Sequence, residues 1–315
     1  MPFSGLIAKD GSFKNSLFKD KDPSTIPQGY CVIKQQYFSI THSDLEIKDG
    51  AIGMEGAGVI ESVPNESERG FEKGDKVCYY IKKPMTSYEN VIVHESALIK
   101  VPQGVELDVA AQARKILTAH YLLYKILTLK KGTWIIVTGA GGSMGTILTA
   151  WANYAGLNII AIISDDDKKQ YVLQNGAKVA INYKKQNVEE EVMRATNSVG
   201  AFAVYDVIGK DFYPTAMKSL SYFGHYILIG KGLSGLPVIN FAAMQEKSST
   251  VCYPNIEHYK NLAFENLVGG AEFLEFVLQT RFTPTIQKFT ISNFSQATQS
   301  LLDRTRTGLI ACSFR

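Results

Sequence analysis

Seven consecutive residues, 139–145, have the composition of a phosphate-binding loop. They follow residues 133–138, an apolar run typical of a buried strand, and precede residues 144–155, whose pattern is typical of an amphipathic helix. The first amides of a helix bind anions because they lack partners within the helix and the helix dipole favours negative charge. We therefore predict a dinucleotide site whose loop residues are Gly139, Gly141, Gly142, Ser143, Met144 and Gly145.

The glycines of this loop have separate expected roles. Gly139 permits a tight turn, Gly142 lets the backbone approach a pyrophosphate, and Gly145 lets the helix pack closely on the strand. The strict G-x-G-x-x-G pattern is not met, because Met144 occupies its last position. A glycine-rich connector in a fold that binds no nucleotide is the alternative.

The residues after the second strand bear on the choice of nucleotide. An acidic residue at that strand end would bind the ribose hydroxyls of NAD, but the strand ends at Ser164, and Lys168 and Tyr183 could bind the 2′-phosphate of NADP. We therefore predict NADPH, with Asp165 as the ribose ligand if the cofactor is instead NADH. We also assign to the cofactor site four residues near the ends of later strands: Ile208, Gly209, Gly230 and Lys231.

Elements that would position these residues alternate along the middle of the chain. Strands and helices succeed each other from residue 133 to 230, which predicts a doubly wound, Rossmann-type parallel sheet. Short β-rich runs broken by Gly and Pro occupy residues 29–101. We therefore predict an α/β protein with a β-rich domain from residues 1–112 and 250–315, a dinucleotide-binding domain from 113–249, and ligands in the cleft between them.

Composition excludes several other classes. Lys+Arg 33 against Asp+Glu 30 gives a net charge of +3, which disfavours a nucleic-acid binder, and no apolar run is long enough to cross a membrane. The four cysteines contain no Cys-x-x-Cys pair, and the N-terminus lacks a secretory signal pattern. We expect a cytoplasmic protein with reduced thiols.

Several segments together resemble the medium-chain dehydrogenase/reductase superfamily, and most closely its zinc-free quinone oxidoreductase branch, the relatives of ζ-crystallin. They lie in family order along nearly the whole chain: Gly53–Ile60, Phe71–Val77, Leu117–Tyr121, Gly139–Gly145 and Val204–Gly209. The resemblance implies a GroES-like β-rich catalytic domain built from both chain ends around the Rossmann domain.

The resemblance also implies that no metal is bound. In zinc-dependent members, cysteine and histidine ligands stand where this chain has Thr41 and Met54, and the four-cysteine structural lobe has no counterpart. His42 and Asp44 remain, but a lone His-x-Asp is more often a hydrogen-bonding pair. Without a Lewis acid, reduction of an activated acceptor is the chemistry left, so we predict hydride transfer to a quinone or an α,β-unsaturated carbonyl.

Thr41, Lys115 and Thr118 are the candidate catalytic residues. Thr118 matches the family's threonine on the nicotinamide side, and Lys115 could stabilise a developing oxyanion unless its ammonium lies in solvent. The family usually has Asn and Tyr where this chain has Thr41 and Glu46, and about eight more loop residues before Gly53. The acceptor pocket should therefore be more open and poorer in polar donors.

Two other functions and an assembly also follow from the resemblance. The chain could bind NADPH with weak or no turnover, as a moonlighting or RNA-binding relative, or it could reduce enal or enoyl double bonds. We predict a homodimer formed along an edge of the nucleotide-binding sheet, with His225–Ile229 near that edge and Leu236–Phe241 pairing with its symmetry mate.

Overall fold

The computed structural model describes residues 3–9, 12–18, 26–63, 66–82, 86–260 and 263–314. The chain divides into two compact units. Unit 1 comprises residues 1–118, 257–304 and 309–315, and unit 2 comprises 119–256 and 305–308. The sequence-based division places the boundary at residue 112, whereas the first residues of the following helix belong to unit 1 because they bond to its strands.

The described strands of unit 1 form two sheets. The strands of this unit are β1 (Phe3–Lys9), β2 (Ser12–Phe18), β3 (Tyr30–Ser39), β4 (Gly50–Ala51), β5 (Glu55–Ser62), β6 (Lys76–Tyr80), β7 (Asn90–His94), β8 (Leu98–Lys100), β15 (Ile286–Thr290) and β16 (Leu309–Ser313). One sheet has the order β2-β1-β4, and the other has the order β15-β16-β3-β5-β6-β8, with β7 also paired to β3. The C-terminal strand β16 thus pairs with β3 near the chain start, as expected for a domain built from both ends.

The described helices of unit 1 contact strands of the second sheet. They are α1 (Leu107–Ala110), α2 (Ala113–His120), α8 (Ile256–Lys260), α9 (Ala263–Thr280) and α10 (Phe294–Leu302). Alternate residues of β3 and β5 point into an apolar core that includes Ile33, Ile60 and Val77, each at most 1% exposed. A second core joins Phe38 to Phe294 of α10 and Ile310 of β16.

Unit 2 is a single parallel sheet with helices between its strands. Its strands are β9 (Trp134–Thr138), β10 (Asn158–Ile163), β11 (Val179–Asn182), β12 (Ala201–Asp206), β13 (Leu220–Leu228) and β14 (Thr250–Cys252), and its helices are α3 (Ser143–Tyr154), α4 (Lys169–Gln174), α5 (Val188–Ala195), α6 (Tyr213–Ser219) and α7 (Phe241–Lys247). The strand order is β11-β10-β9-β12-β13-β14. The apolar β9 and β10 are interior strands of this sheet, buried along almost their whole length.

Three local features differ from the sequence-based expectations. The sequence pattern of residues 109–125 predicts one continuous helix, but the structure divides it among α1, α2 and a π-helical turn, Tyr121–Lys125. Strand β14 pairs with β13 and forms one edge of the unit 2 sheet, whereas the sequence-based division places residues from 250 onwards in the first domain; His225–Ile229 lies next to that edge, as predicted. Residues 236–240 adopt no regular strand in this chain. No helix within the described ranges is long and apolar enough to cross a membrane.

Candidate cofactor and active site

The glycine loop joins β9 to α3 with a geometry that requires glycine at two positions. Gly139 has φ +59°, and its carbonyl accepts the amide of Gly142 at 2.8 Å. A Cβ on Gly145 would lie 2.4 Å from the Gly139 oxygen and 2.5 Å from Ala140 Cα, so a side chain there would push α3 off the strand. Gly142 is the N-cap of α3. The first amides of α3 are thus available at the loop, and this cradle fits a pyrophosphate.

A short segment near the C-terminus closes one side of the loop. The Gly308 amide donates to the Gly141 carbonyl at 2.9 Å, and the Ser143 hydroxyl donates to the Gly308 carbonyl at 3.2 Å. Arg306 also donates to the Gly308 carbonyl and so brings a cation close to the loop. Residues 305–308 therefore belong to unit 2, although the sequence-based division places them in the first domain.

The other cofactor candidates follow the carboxyl ends of neighbouring parallel strands. Parallel pairing aligns Thr138 with Ile162, Ile163 with Asn182, and Asp206 with Leu228. Ser164, Tyr183, Ile208 and Gly230 come within two residues of these strand ends. The structure therefore places these residues along the sheet edge where α/β proteins bind ligands.

Asp206 fixes the loop that carries Ile208 and Gly209. Its buried carboxylate accepts hydrogen bonds from four donors, each between 2.7 and 2.9 Å: the hydroxyls of Thr138 and Tyr226 and the amides of Ile208 and Gly209. Gly209 has φ +89°, and a Cβ there would lie 2.3 Å from the Gly235 carbonyl oxygen. This positioning role of Asp206 was not anticipated from the sequence.

The region expected to meet a 2′-phosphate contains one buried lysine. Lys168 is 8% exposed, and its stem lies against the loop, because a Cβ on Gly141 would be 3.2 Å from Lys168 Cδ. The Asp165 carboxylate accepts the Asp167 amide at 3.1 Å and so caps a short 3₁₀ turn. Hydrogen bonds from Lys185 and Asn182 hold the pKa of Asp166 below its usual range. The acidic residues Asp165, Asp166 and Asp167 thus stabilise the start of this helical turn.

In unit 1, Lys115 belongs to a buried polar cluster. Its Nζ donates to the Glu55 carboxylate and, at 2.7 Å, to Ser39 Oγ. The Ser39 hydroxyl has two acceptors for its one hydrogen, Gln112 Oε1 at 2.9 Å and the Ile310 carbonyl oxygen at 3.0 Å. The Lys115 ammonium is therefore not in solvent; it neutralises Glu55.

Thr41 lies at the start of a 3₁₀ turn, His42–Glu46, beside Arg114. Its amide and hydroxyl donate to Asp44 Oδ2 at 2.7 and 2.8 Å. Arg114 Nη1 donates to Ser43 Oγ at 2.9 Å and to Thr41 Oγ1 at 3.4 Å. The Thr118 hydroxyl donates to the Arg114 carbonyl at 2.7 Å. The structure thus brings Thr41 and Thr118 to the same arginine, which sequence reasoning did not single out.

The Tyr80 ring packs against the guanidinium of Arg114. The Arg114 guanidinium lies 5.5 Å from the centroid of the Tyr80 ring, and the Tyr80 hydroxyl donates to the Glu257 carboxylate. Burial raises the pKa of the Tyr80 phenol above its usual value, and Arg114 acts in the opposite direction. Tyr80 is therefore neutral at physiological pH.

The positions of the zinc ligands in metal-dependent relatives carry no ligating side chain here. Thr41 bonds to Asp44, and the other oxygen of Asp44 accepts the Gly53 amide at 2.8 Å. Met54 precedes Glu55, which is paired with Lys115. In the part of the chain that the structure describes, no three His, Cys, Asp or Glu side chains are grouped to hold a metal ion.

Comparison with known proteins identifies the family. A family model described as an alcohol dehydrogenase GroES-like domain matches residues 27–103, and one described as a zinc-binding dehydrogenase matches residues 143–264. A quinone oxidoreductase of Pseudomonas aeruginosa is 30% identical over 263 residues, which cover 82% of this chain and 80% of that protein. The chain belongs to the zinc-free quinone oxidoreductase branch of the medium-chain dehydrogenase/reductase superfamily. It is an oxidoreductase of this family, and the GroES-like and Rossmann-type folds predicted from the sequence are confirmed.

Two further relatives of this quinone oxidoreductase branch extend the comparison. A 2-haloacrylate reductase of Burkholderia is 34% identical over 174 residues, which cover 54% of this chain and 50% of that protein. The structure of Escherichia coli quinone oxidoreductase complexed with NADPH covers 98% of this chain and 99% of that one, with a TM-score of 0.88 and 20% identity. At that identity, the likeness concerns the fold.

Proposed function

We propose that this protein is an NADPH-dependent, zinc-independent oxidoreductase that transfers hydride to a quinone or an α,β-unsaturated carbonyl. The observation that carries the proposal is the glycine loop. Because position 145 is glycine, α3 begins close against β9, and the first amides of α3 are available to a pyrophosphate. The P. aeruginosa and E. coli relatives named as quinone oxidoreductases support the reaction, and the NADPH complex of the latter supports the cofactor.

The residues of unit 2 hold the cofactor in this proposal. Amides of the first turn of α3, from Ser143 to Gly145, bind the pyrophosphate, and Lys168 and Tyr183 bind the 2′-phosphate. Gly209, whose loop Asp206 fixes, and Gly230 and Lys231 complete the edge of the site. The nicotinamide supplies a hydride when NADPH is bound.

The acceptor contacts residues of unit 1. Thr41 or Lys115 interacts with the acceptor oxygen, where negative charge develops, and Thr118 orients the nicotinamide side. Thr41 is half-buried and would exchange only its hydroxyl bond to Asp44 for a bond to the acceptor, whereas Lys115 is 6% exposed and would have to leave Glu55, its ion-pair partner, in part. The geometry therefore favours Thr41 for a direct contact.

A second candidate is reduction of an activated carbon–carbon double bond in an enal or a related acid. The similarity to a 2-haloacrylate reductase supports it, because that protein's name specifies an unsaturated carboxylate. Both candidates need the same cofactor site, so they differ only in the acceptor.

Stopped-flow oxidation of NADPH with a panel of quinones, enones and enals tests the proposal. We expect single-turnover oxidation with at least one class and none without acceptor. Gly142→Val should abolish NADPH binding, because a bulky side chain there would block the approach of the pyrophosphate to the loop backbone. Ala155→Val, at the other end of α3, is the matched control and should bind NADPH normally. If the protein binds NADPH but oxidises it with none of the tested acceptors, it is a nucleotide-binding protein and not a reductase.

A further inference from the structure

Arg114 contacts two of the three residues proposed to meet the reactants, Thr41 and Thr118. Its guanidinium donates to the side chains of Thr41 and Ser43, and its carbonyl accepts the Thr118 hydroxyl. The guanidinium also lies over the Tyr80 ring. The side chain is half-buried, so it is held in place and still reachable by a small molecule.

The carboxylates near Arg114 are each engaged by other donors. Asp44 binds Gly53 and Thr41, Glu55 binds Lys115 and the Arg114 amide, and Glu257 binds Tyr80. Among the described residues, none of their oxygens lies within ion-pair distance of the guanidinium. Arg114 is therefore a half-buried cation that no described carboxylate neutralises by direct contact.

The guanidinium retains donors for a planar anion. Its hydrogen bonds to Thr41 and Ser43 both use Nη1, whereas a guanidinium has five N–H donors in a rigid fork. Stacking on an aromatic face leaves the edge of that fork open, and the fork matches the geometry of a carboxylate. Lys115, the other cation nearby, already binds Glu55 and Ser39.

We propose that Arg114 binds a carboxylate on the electron acceptor, so that the protein selects α,β-unsaturated acceptors that carry a carboxylate next to the double bond. This inference rests on the proposed reductase function. For trans-4-oxo-2-pentenoate, the reaction consumes one NADPH and one proton from solvent and forms NADP⁺ and 4-oxopentanoate. The carbon–carbon double bond is reduced, and the carboxylate is unchanged.

Steady-state kinetics with this acid and its methyl ester test the assignment, because the ester removes the negative charge and adds only a methyl group. We expect the wild-type kcat/KM to be at least about 10-fold higher for the acid, since a charge-assisted hydrogen bond contributes about 1.5–3 kcal/mol. Arg114→Met should lower kcat/KM for the acid about 10- to 100-fold, mainly through KM, and the ester should lose much less. Arg114→Lys keeps the charge without the planar fork. Its kcat/KM for the acid should lie between those of the wild type and Arg114→Met.

The control variant is Arg194→Met, which removes an exposed arginine paired with Glu191 in α5 of unit 2. It should leave the ratio of kcat/KM for the acid to kcat/KM for the ester at the wild-type value. Equal wild-type kcat/KM for acid and ester, or equal losses for both in Arg114→Met, would overturn the proposal.

Calorimetry with the wild-type protein and with Arg114→Met, each with NADP⁺, gives a readout that needs no turnover. The product 4-oxopentanoate should bind at least about 10-fold more tightly than its methyl ester, and equal affinities would overturn the role of Arg114. If no acceptor is reduced but 4-oxopentanoate binding depends on Arg114, the carboxylate site stands and the proposed reductase function fails.

Discussion

Lys115 forms an ion pair with Glu55 in which only 8% and 1% of the two side-chain surfaces are exposed. The pair links the start of α2 to the start of β5, and the Arg114 amide donates to the second oxygen of Glu55 at 2.7 Å. A buried carboxylate without a cation is costly, so Lys115 has a structural task whatever it contributes to turnover.

Lys115→Met should lower the free energy of unfolding by about 3–5 kcal/mol, because it leaves Glu55 buried and unpaired. Urea unfolding followed by circular dichroism measures this change. The double variant Lys115→Met with Glu55→Gln removes both charges and should recover much of the loss. A Lys115→Met protein of wild-type stability but reduced turnover would instead indicate that the ammonium acts on the acceptor.

Thr41→Ala separates a chemical role from a capping role. If Thr41 donates to the developing oxyanion, its loss should lower kcat by about 10²–10³ while NADPH affinity stays near the wild-type value. The variant also loses a hydrogen bond to Asp44, which we expect to cost about 1 kcal/mol of stability. Thr290→Ala is the matched control, because Thr290 makes the same pair of bonds to Asn293 at another 3₁₀ turn of unit 1. A loss of only several-fold would mean that Thr41 lines the pocket.

The protein should bind NADPH more tightly than NADH. Ser164 provides no carboxylate at the strand end, and the Asp165 carboxylate is occupied by the Asp167 amide. Lys168→Ala should lower NADPH affinity about 10-fold or more by calorimetry, with little change for NADH. The neighbouring Lys169 is exposed, so Lys169→Ala serves as the control. Tighter binding of NADH would assign the ribose to Asp165.

The cofactor side of this protein was readable from sequence because its signal is local. The strand, glycine turn and helix around Gly139–Gly145 are adjacent in the chain, and each requires a residue type that the pattern displays. Arg114 and Ser43 are 71 residues apart, and Ser143 and Gly308 are 165 apart. Only pairing of the strands brings such residues together, so neither contact leaves a mark on the local sequence.

The edge of unit 2 illustrates the same limit. His225–Ile229 has the apolar alternation of a strand, but nothing in the segment itself specifies which neighbour it takes. The short strand Thr250–Cys252 pairs with it in parallel and becomes the edge. Strand position depends on a crossover of more than twenty residues, whereas strand existence depends on the local pattern.

The purified protein should contain no stoichiometric zinc. Thr41 and Met54 offer neither thiolate nor imidazole, and the Asp44 carboxylate already accepts three hydrogen bonds. Metal analysis of protein prepared without chelator checks this, and treatment with EDTA should leave turnover unchanged. About one zinc per chain, with activity lost on chelation and restored by zinc, would contradict it.

The protein should be a homodimer whose interface includes the apolar segment after β13. Val238 is 87% exposed and Phe241 is 78% exposed. Strand β14, which pairs with β13, has an open outer edge. Exposed apolar side chains beside an open strand edge favour association, and a two-fold partner covers both. Light scattering at micromolar concentration should give twice the chain mass of 34.8 kDa. Val238→Glu combined with Phe241→Glu should give the monomer mass, because the charges would be buried without partners in the interface.

Leu302→Glu is the control for this double variant, since Leu302 is 62% exposed on α10 of unit 1 and outside the proposed interface. It adds a comparable charge to an exposed apolar position and should remain dimeric. A monomeric wild-type protein would contradict the dimer itself. Dissociation by Leu302→Glu, or a dimer that survives both charges at Val238 and Phe241, would place the interface elsewhere on the chain.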